Sequence, residues 1–162
     1  MAARRDSKGR FVKDRDRGWD KVRREVIKPT QHVTVGVHGD QDARDGEIGN
    51  VALMAIHEFG SESAGIPERS VIRHTVDTNI NDYRRLVHTI GQQIYNGRIS
   101  AEQGLNLIGL KVAADMRGTI SRTPGSWPAL QDATVASRQF GGSKPLLDRG
   151  ELQKSIKHKV TL

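Results

Sequence analysis

The sequence predicts an α+β protein in which a small antiparallel sheet packs with several helices, preceded by a flexible basic N-terminal arm. β-Branched residues alternate with other residues over His32–Val37, which is the pattern of a half-buried strand. Residues 156–162 form a second short segment that suits a strand. Between the two, aliphatic residues recur at helical spacing. We therefore expect several helices, and an antiparallel pairing of residues 156–162 with residues 32–38.

The helices are predicted from apolar spacing and from the glycine and proline residues that interrupt it. Gly60 suits the end of the first helix, and Pro67 holds Ile66 in an extended loop before the second. The predicted helices are residues 48–59, 68–78 and 82–96, one opening at Ser100, residues 129–139 and a helical turn over 150–155.

The helix that opens at Ser100 has the strongest local signal. Ser100 and Gln103 have the spacing of a capping box, in which each side chain bonds the backbone N–H of the other. Its predicted buried stripe is Leu105, Ile108, Val112, Met116 and Ile120. It also contains Gly104, Gly109 and Gly118. Glycine weakens an isolated helix but lets a neighbour approach closely, so we expect tight contacts here.

Composition points to one domain with a thin core. The chain has 162 residues, of which 35% are hydrophobic and 4% aromatic, so its burial is well suited to completion by neighbouring subunits. The absence of cysteine excludes disulfides and thiolate metal sites. No apolar run approaches the roughly 18 residues of a membrane span, and no signal peptide is evident. We expect a soluble protein made inside a cell, with no membrane partner.

The net charge of +7 is concentrated near the start of the chain. Residues 1–28 hold eleven Lys and Arg against five Asp and Glu, whereas residues 29–162 hold fifteen against fourteen. We therefore divide the chain into a basic arm, residues 1–28, with a short helix predicted over its second half, and a single α+β domain, residues 29–162.

The arm carries the chemistry of a segment that seeks a partner. Its basic side chains can neutralise phosphates, which would make DNA binding salt-dependent, and Phe11 and Trp19 can stack on bases. Aspartates interrupt the basic run, which argues against an arm dedicated to DNA. Docking on a protein neighbour, a solvated arm and nucleic-acid contact remain three open interpretations. The candidate contacts are Arg4, Arg5, Lys8, Arg10 and Lys13.

No segment has the pattern of a catalytic, cofactor or metal site. His57 and Glu58 begin like the HExxH zinc motif, but Ser61 stands where the second histidine is needed. The chain has no GxSxG nucleophile elbow and no glycine-rich phosphate loop. We interpret His57 and Glu58 as residues that cap or flank a helix end, and we expect a protein that is not an enzyme.

Four arginines follow the predicted loop that contains Pro67. Arg69 and Arg73 are one helical turn apart, and Arg84 and Arg85 lie in the next helix. Their guanidinium groups suit contacts across a subunit boundary. Solvated helix faces are the more ordinary role, and we expect it for most of the four.

Three short motifs follow one another in this chain: HEFG, IPER and a closing segment that starts at Leu147. They resemble the signature of the tail-completion and neck proteins of tailed bacteriophages, which are also described as virion morphogenesis or head–tail joining proteins. The resemblance covers residues 30–162. The matching residues are His57, Glu58, Phe59, Gly60, Ile66, Pro67, Arg69, Leu147, Asp148, Gly150, Leu152, Ser155, Ile156 and Val160.

The resemblance implies a structural virion protein that forms a homo-oligomeric ring, completing the tail or joining it to the head connector. Its partners would be itself and the neighbouring neck, connector or tail-tube proteins, with genomic DNA passing through the lumen. It would be located in the virion, and in the host cytoplasm during assembly. We expect the subunit interface to use the loops at residues 39–47 and 60–70.

The chain departs from the family pattern at two positions. Ser70 precedes Val71 where an aromatic residue commonly follows the Pro-x-Arg segment, and Arg149 stands where threonine usually precedes the glycine. The alternative function is a nucleic-acid-binding protein that uses the basic arm, which predicts steeply salt-dependent DNA binding.

Overall fold

The computed structural model describes residues 31–39, 48–138 and 142–162. The predicted arm, including its short helix, and most of the loop at residues 39–47 lie outside these ranges. Although the two longest helices have 25 and 22 residues, none in the described ranges combines the length and apolarity needed to cross a bilayer. The elements are β1 (His32–Val37), α1 (Asn50–Phe59), α2 (Val71–Tyr95), α3 (Ala101–Arg122), α4 (Asp132–Ala136), α5 (Glu151–Ser155) and β2 (Ile156–Thr161).

The predicted α+β fold class and the predicted strand pairing are confirmed. β1 and β2 form a two-stranded antiparallel sheet whose register runs from His32 opposite Thr161 to Val37 opposite Ile156. Both strands pack on α3. The side chain of Ile156 is fully buried in the core. The sheet thus covers one side of α3 and pairs the first element of the domain with the last.

α2 packs antiparallel to α3, on a different side of α3 from the sheet. Polar and steric contacts hold the two helices together. The Thr75 and Thr119 hydroxyls bond each other at 2.8 Å in the buried interface. Further along, the Tyr83 hydroxyl donates to the Asp115 carboxylate at 2.9 Å. Burial and this carboxylate raise the pKa of Tyr83. These paired polar groups fix which turns of the two helices lie side by side.

Two of the three glycines in α3 mark the close contacts expected from the sequence. A Cβ atom on Gly104 would lie 2.8 Å from side-chain atoms of Ile90 and of Ile94, and one on Gly109 would lie 2.7 Å from the His158 ring. A Cβ atom on Gly118 would instead meet Arg122 of the same helix. Gly104 therefore lets α2 approach α3, and Gly109 lets β2 do so.

The prediction of separate helices over residues 68–78 and 82–96 is wrong, because one continuous helix covers Val71–Tyr95. The polar stretch that suggested a break carries no proline or glycine. Asn79 donates its side-chain amide to the carbonyl of Thr75 one turn back, so its polarity is satisfied within the helix. The helix also begins three residues later than expected, because residues 68–70 stay outside it.

Three smaller expectations are corrected. α1 begins at Asn50 instead of residue 48, and the helix predicted over residues 129–139 is reduced to Asp132–Ala136. In α3, only Met116 and Ile120 of the predicted stripe are fully buried. The helix turns its small residues inward, and this brings its neighbours close. The buried hydrophobic residues of the described ranges are Met54, Val71, Ile90, Ala101, Ala113, Met116, Ile120, Leu152 and Ile156.

We predict opposite effects of alanine at two helical glycines. Gly109→Ala should lower the free energy of unfolding by about 1–2 kcal/mol, because its methyl group overlaps the Cβ and ring atoms of His158. Gly91→Ala is the matched control, since nothing lies within 4 Å of its Cβ position, and it should raise stability by about 0.5–1 kcal/mol through helix propensity. Urea denaturation measures both. Equal effects would contradict the close packing of β2 on α3.

Candidate functional site

The end of α1 is folded back on the loop that carries Ile66 and Pro67. Gly60 follows α1 with φ 74° and ψ 177°, and a Cβ atom there would lie 3.1 Å from the Ile66 carbonyl oxygen and the Glu68 nitrogen. Ser61 and Ile66 exchange two backbone hydrogen bonds, at 2.8 and 2.9 Å. Glycine is therefore needed here both for its positive φ and for lack of space. One compact turn therefore joins the end of the HEFG motif to the start of the IPER motif.

Glu58 connects the end of α1 to the start of α2. Its carboxylate is buried, with the residue only 6% exposed, and accepts hydrogen bonds from the backbone N–H groups of Ile72 at 2.8 Å and Arg73 at 2.9 Å. Ser70 occupies the N-cap position but makes no side-chain capping bond. Glu58 therefore supplies acceptors for two of the first N–H groups of α2, and the helix dipole stabilises its negative charge there. The predicted capping role is refined: Glu58 lies in α1 but caps α2.

Arg69 is buried between two segments that are distant in sequence. It is 4% exposed, and its backbone N–H donates to the carbonyl of His57 at 2.8 Å. Its Nε and Nη2 atoms donate to the carbonyl oxygens of Pro128 and Ala129, each at 2.9 Å. The expected solvated helix face is therefore wrong for Arg69. It precedes α2 and uses its planar guanidinium to bind a backbone segment.

The surroundings of Arg69 disfavour its charge. Burial lowers the pKa of the Arg69 guanidinium, and the positive charge of Arg138 lowers it further. Arg138 in turn donates from Nη1 to the carbonyl oxygens of Gly142, Lys144 and Leu147, at 3.0, 2.8 and 3.2 Å. Two arginines thus hold irregular backbone around one region through carbonyl acceptors.

The closing motif borders the same region. Gly150 has φ 73° immediately before α5, and Leu152 and Ile156 enter the core. The Ser155 hydroxyl donates to the carbonyl of Leu152 at 2.8 Å, within the turn. Leu147 packs at the core's edge, whereas Asp148 is exposed. The motif residues therefore serve mainly to seat β2 on α3.

A cavity of about 360 Å³ lies where the three motifs meet. Its wall includes His57 and Arg69 together with residues 148–152 of the closing motif. An open groove continues from it between Phe59 and Pro128, and the two share His57, Arg69, Leu130 and Thr134 in their walls. We call this cavity and groove together the Arg69 groove. It is the candidate functional site, and Phe59 stands beside it with 72% of its surface exposed.

The structure brings most of the predicted motif residues together and adds others. Residues 128–134 and Arg138 were missed, because a backbone carbonyl acceptor leaves no signature in the sequence. The five candidate arm contacts, Arg4 to Lys13, lie outside the described residues. Within the described ranges no group of three metal-ligating side chains forms. The wall of the site combines guanidinium groups, carboxylates and apolar side chains.

Comparison with known proteins adds no relative to this description. No family model matches the chain, and no curated protein or solved structure is significantly similar to it. The resemblance to phage neck proteins rests on the three motifs, and it remains a prediction.

We predict that Glu58→Gln lowers the free energy of unfolding by about 1–2 kcal/mol. The amide keeps one acceptor oxygen but turns an N–H₂ group toward a helix N–H, and it removes the charge that favours the helix dipole. Chemical denaturation measures the loss. Glu62→Gln is the matched control, because Glu62 is exposed, and it should change stability by less than about 0.5 kcal/mol. An equal response of the two variants would contradict the capping role.

We also predict that Arg69→Lys destabilises the protein by about 1–3 kcal/mol. Lysine keeps the charge but carries all its donors on one nitrogen instead of a planar fork, so it should leave at least one of the carbonyls of Pro128 and Ala129 without its partner. Arg73→Lys is the control, since Arg73 pairs with Glu68 at the surface, and an exposed pair contributes about 0–1 kcal/mol. Differential scanning calorimetry should show the larger fall in Tm for Arg69→Lys.

Proposed function

We propose that this protein is a structural subunit of the neck of a tailed bacteriophage, where copies form a ring that completes the tail or joins it to the head connector. The motif resemblance suggests this class. The observation that carries the proposal is the set of exposed apolar side chains on the two long helices. Such surfaces are typical of subunits that bury them against neighbours.

The first apolar surface lies on α3. Leu107 is 47% exposed and Leu110 is 51% exposed, and the two are three residues apart, on one side of the helix. Gly104 and Gly109 mark the sides of α3 that contact α2 and β2. At 100° per residue, Leu110 lies about 100° or more from both glycines, whereas Leu107 lies about 60° from Gly104, at the edge of the side that contacts α2. We call this the α3 outer surface.

The second apolar surface lies on α2. Ile80, Val87 and Tyr95 are 38%, 51% and 61% exposed, and they are spaced seven and eight residues apart, along one stripe. Tyr83 and Ile90, which contact α3, lie on a neighbouring side of the helix. We call this the α2 stripe.

Two separate apolar surfaces on one subunit favour a heterologous contact, in which one surface of each copy meets a different surface of the next. Such contacts generate closed rings when the rotation between neighbours closes. A two-fold dimer would need only one self-complementary patch. The small buried core agrees with a subunit that gains burial on assembly.

The same proposal makes the protein a non-enzymatic assembly component of the virion. The buried contacts of Glu58 and Arg69 serve as scaffold. Its partners would be further copies of itself and the proteins on either side of the ring, and the basic arm would reach one of those neighbours.

The test is the mass of the protein in solution, by light scattering at low and moderate salt, together with its incorporation into tailed particles. We expect a discrete closed oligomer, or a monomer that joins purified tails. Leu110→Glu should shift the assembly toward monomer by at least about tenfold in concentration, because the charge would be desolvated at the α3 outer surface.

Thr78→Glu is the control for the same added charge, because Thr78 is exposed on α2 outside the stripe. It should leave assembly unchanged, and circular dichroism should show native helix content for both variants. A stable monomer that ignores tails and binds duplex DNA with steep salt dependence would instead favour the nucleic-acid function.

A further inference from the structure

The helix α1 exposes only apolar side chains and buries polar ones. Asn50 and Glu58 are buried, and Glu58 is held inward because it caps α2. A helix that is apolar on its outward side is normally covered by another element. We call this outward side the α1 face, and its residues are the four exposed residues of the helix, Val51, Ala52, Ala55 and Phe59.

The α1 face is one continuous surface. At 100° per residue its members lie within about 100° of one another, and Val51, Ala55 and Phe59 form a ridge with four-residue steps. Val51 is 41% exposed and Phe59 is 72% exposed. Beyond Phe59 the apolar surface continues onto Pro67 and Pro128, which are exposed and line the open groove with it. Such a surface marks a contact with another protein.

The α3 outer surface has the same spacing and also lacks charge. Leu110 is followed in four-residue steps by the exposed Ala114 and the half-buried Gly118, and Leu107 lies beside this row. At 100° per residue these four lie within about 80° of one another. Rows with four-residue steps are the ridges that interdigitate when two helices cross at about −50°. A small residue such as Ala114 at the crossing point lets the two helices approach closely.

Carboxylates lie beside the α1 face. The open groove next to Phe59 is lined by the exposed Glu62 and Glu68 and by one guanidinium, that of the buried Arg69. Glu68 pairs with Arg73 of its own chain. Glu62 makes no ion pair among the residues that the structure describes. One exposed carboxylate at this end of α1 is therefore available to a neighbouring copy.

The charged residues beside the α3 outer surface are basic. Lys111 and Arg117 lie on its two sides, and Arg122 follows Gly118 by one turn. Lys111 pairs with Asp115 of its own chain. Arg122 is exposed, and no carboxylate lies within 4.0 Å of it in the part of the chain that the structure describes. The rims of the two surfaces thus carry charges of opposite sign.

The two surfaces face away from the core on different sides of the domain. Met54 of α1 and Met116 and Ile120 of α3 belong to one core cluster, which lies between the two helices. At 100° per residue, the centre of each outer surface lies about 100° or more from these core residues. A contact between the two surfaces therefore joins two copies head to tail. Repetition of a head-to-tail contact produces a ring or a filament and not a two-fold dimer.

We propose that the α1 face of one copy packs on the α3 outer surface of the next copy, with Ala55 opposite Ala114 and Glu62 beside Arg122. The inference rests on the proposed ring assembly and names its contact. Burial of the apolar side chains supplies the stabilisation, and the charged pair at the rim fixes the direction of α1 along α3.

Cross-linking between engineered cysteines tests the contact, because the natural chain has no cysteine. One protein carries Ala55→Cys and the other carries Ala114→Cys. The two are mixed below the assembly concentration, concentrated together and treated with a short bis-maleimide. Both positions are exposed, so each variant should keep the native helix content, which circular dichroism checks. A covalent heterodimer is expected.

Matched cysteines separate this contact from others. Val87→Cys on the α2 stripe and Thr78→Cys off it each replace Ala55→Cys, and each should give at least about tenfold less heterodimer. Ala55→Cys by itself should give no homodimer, because the contact is not two-fold. Preferential capture by Val87→Cys, or a homodimer of Ala55→Cys alone, would overturn the proposal.

A single chain that carries both Ala55→Cys and Ala114→Cys tests the head-to-tail order. Each copy should link to two neighbours, so cross-linking should give a ladder of covalent multimers that ends at the size of the ring. A product that stops at the dimer would contradict the head-to-tail contact.

Charge reversal gives an independent readout. Glu62→Lys and Arg122→Glu should each raise the concentration needed for half-assembly by about threefold or more, because each brings like charges together at the rim. Both changes in one chain should restore assembly to within about twofold of the natural protein. Asp77→Lys is the control, since Asp77 is exposed on α2, and it should not rescue Arg122→Glu. Equal rescue by Asp77→Lys would contradict the pairing.

The outcomes separate this contact from the proposed function. A closed oligomer without the heterodimer cross-link overturns the contact and leaves the ring standing. The cross-link in open, growing assemblies supports the contact and contradicts a closed ring. Monomers without cross-link, which also fail to join tails, contradict both.

Discussion

The carboxylate of Glu58 at the first turn of α2 is the contact on which the rest of the domain depends. α2 has no local capping side chain, so the N–H groups of Ile72 and Arg73 would lose their side-chain acceptor without Glu58. By fixing where α2 begins, this carboxylate also fixes the extended residues before it. Arg69 is then directed inward, toward the carbonyls of Pro128 and Ala129. One interaction thus positions the longest helix and the loop that follows α3.

The buried guanidinium of Arg69 is stable here because backbone oxygens replace part of its hydration. Carbonyl groups are neutral, so they satisfy hydrogen bonds without cancelling the charge. Arg138 repeats the arrangement a short distance away, and its charge opposes that of Arg69. Arg138 is only partly buried, and its nearby positive charge adds to the cost of burying Arg69.

Each of the two long helices has one side that packs against the other helix and another side that is exposed to solvent. Where α2 meets α3, a threonine pair, a tyrosine–aspartate bond and a glycine contact fix one register. On other sides, leucine, valine and tyrosine side chains are left to solvent. Leu107 and Leu110 are one helical turn apart on α3, whereas Ile80, Val87 and Tyr95 on α2 are about two turns apart, with Arg84 and Gly91 between them. A rigid internal register would present such surfaces to neighbours with constant geometry.

The sequence by itself determined the elements whose causes are local. Alternation of β-branched residues specified β1, the Ser100–Gln103 box specified the start of α3, and Gly60 specified the end of α1. These signals depend on neighbours within a few residues. The tertiary structure decided that α2 is continuous, that Glu58 caps it and that Arg69 is buried. The cap and the burial of Arg69 depend on groups 14 to 60 residues away, and the carbonyl acceptors of Arg69 are backbone atoms that every residue carries, so the sequence has no mark of them.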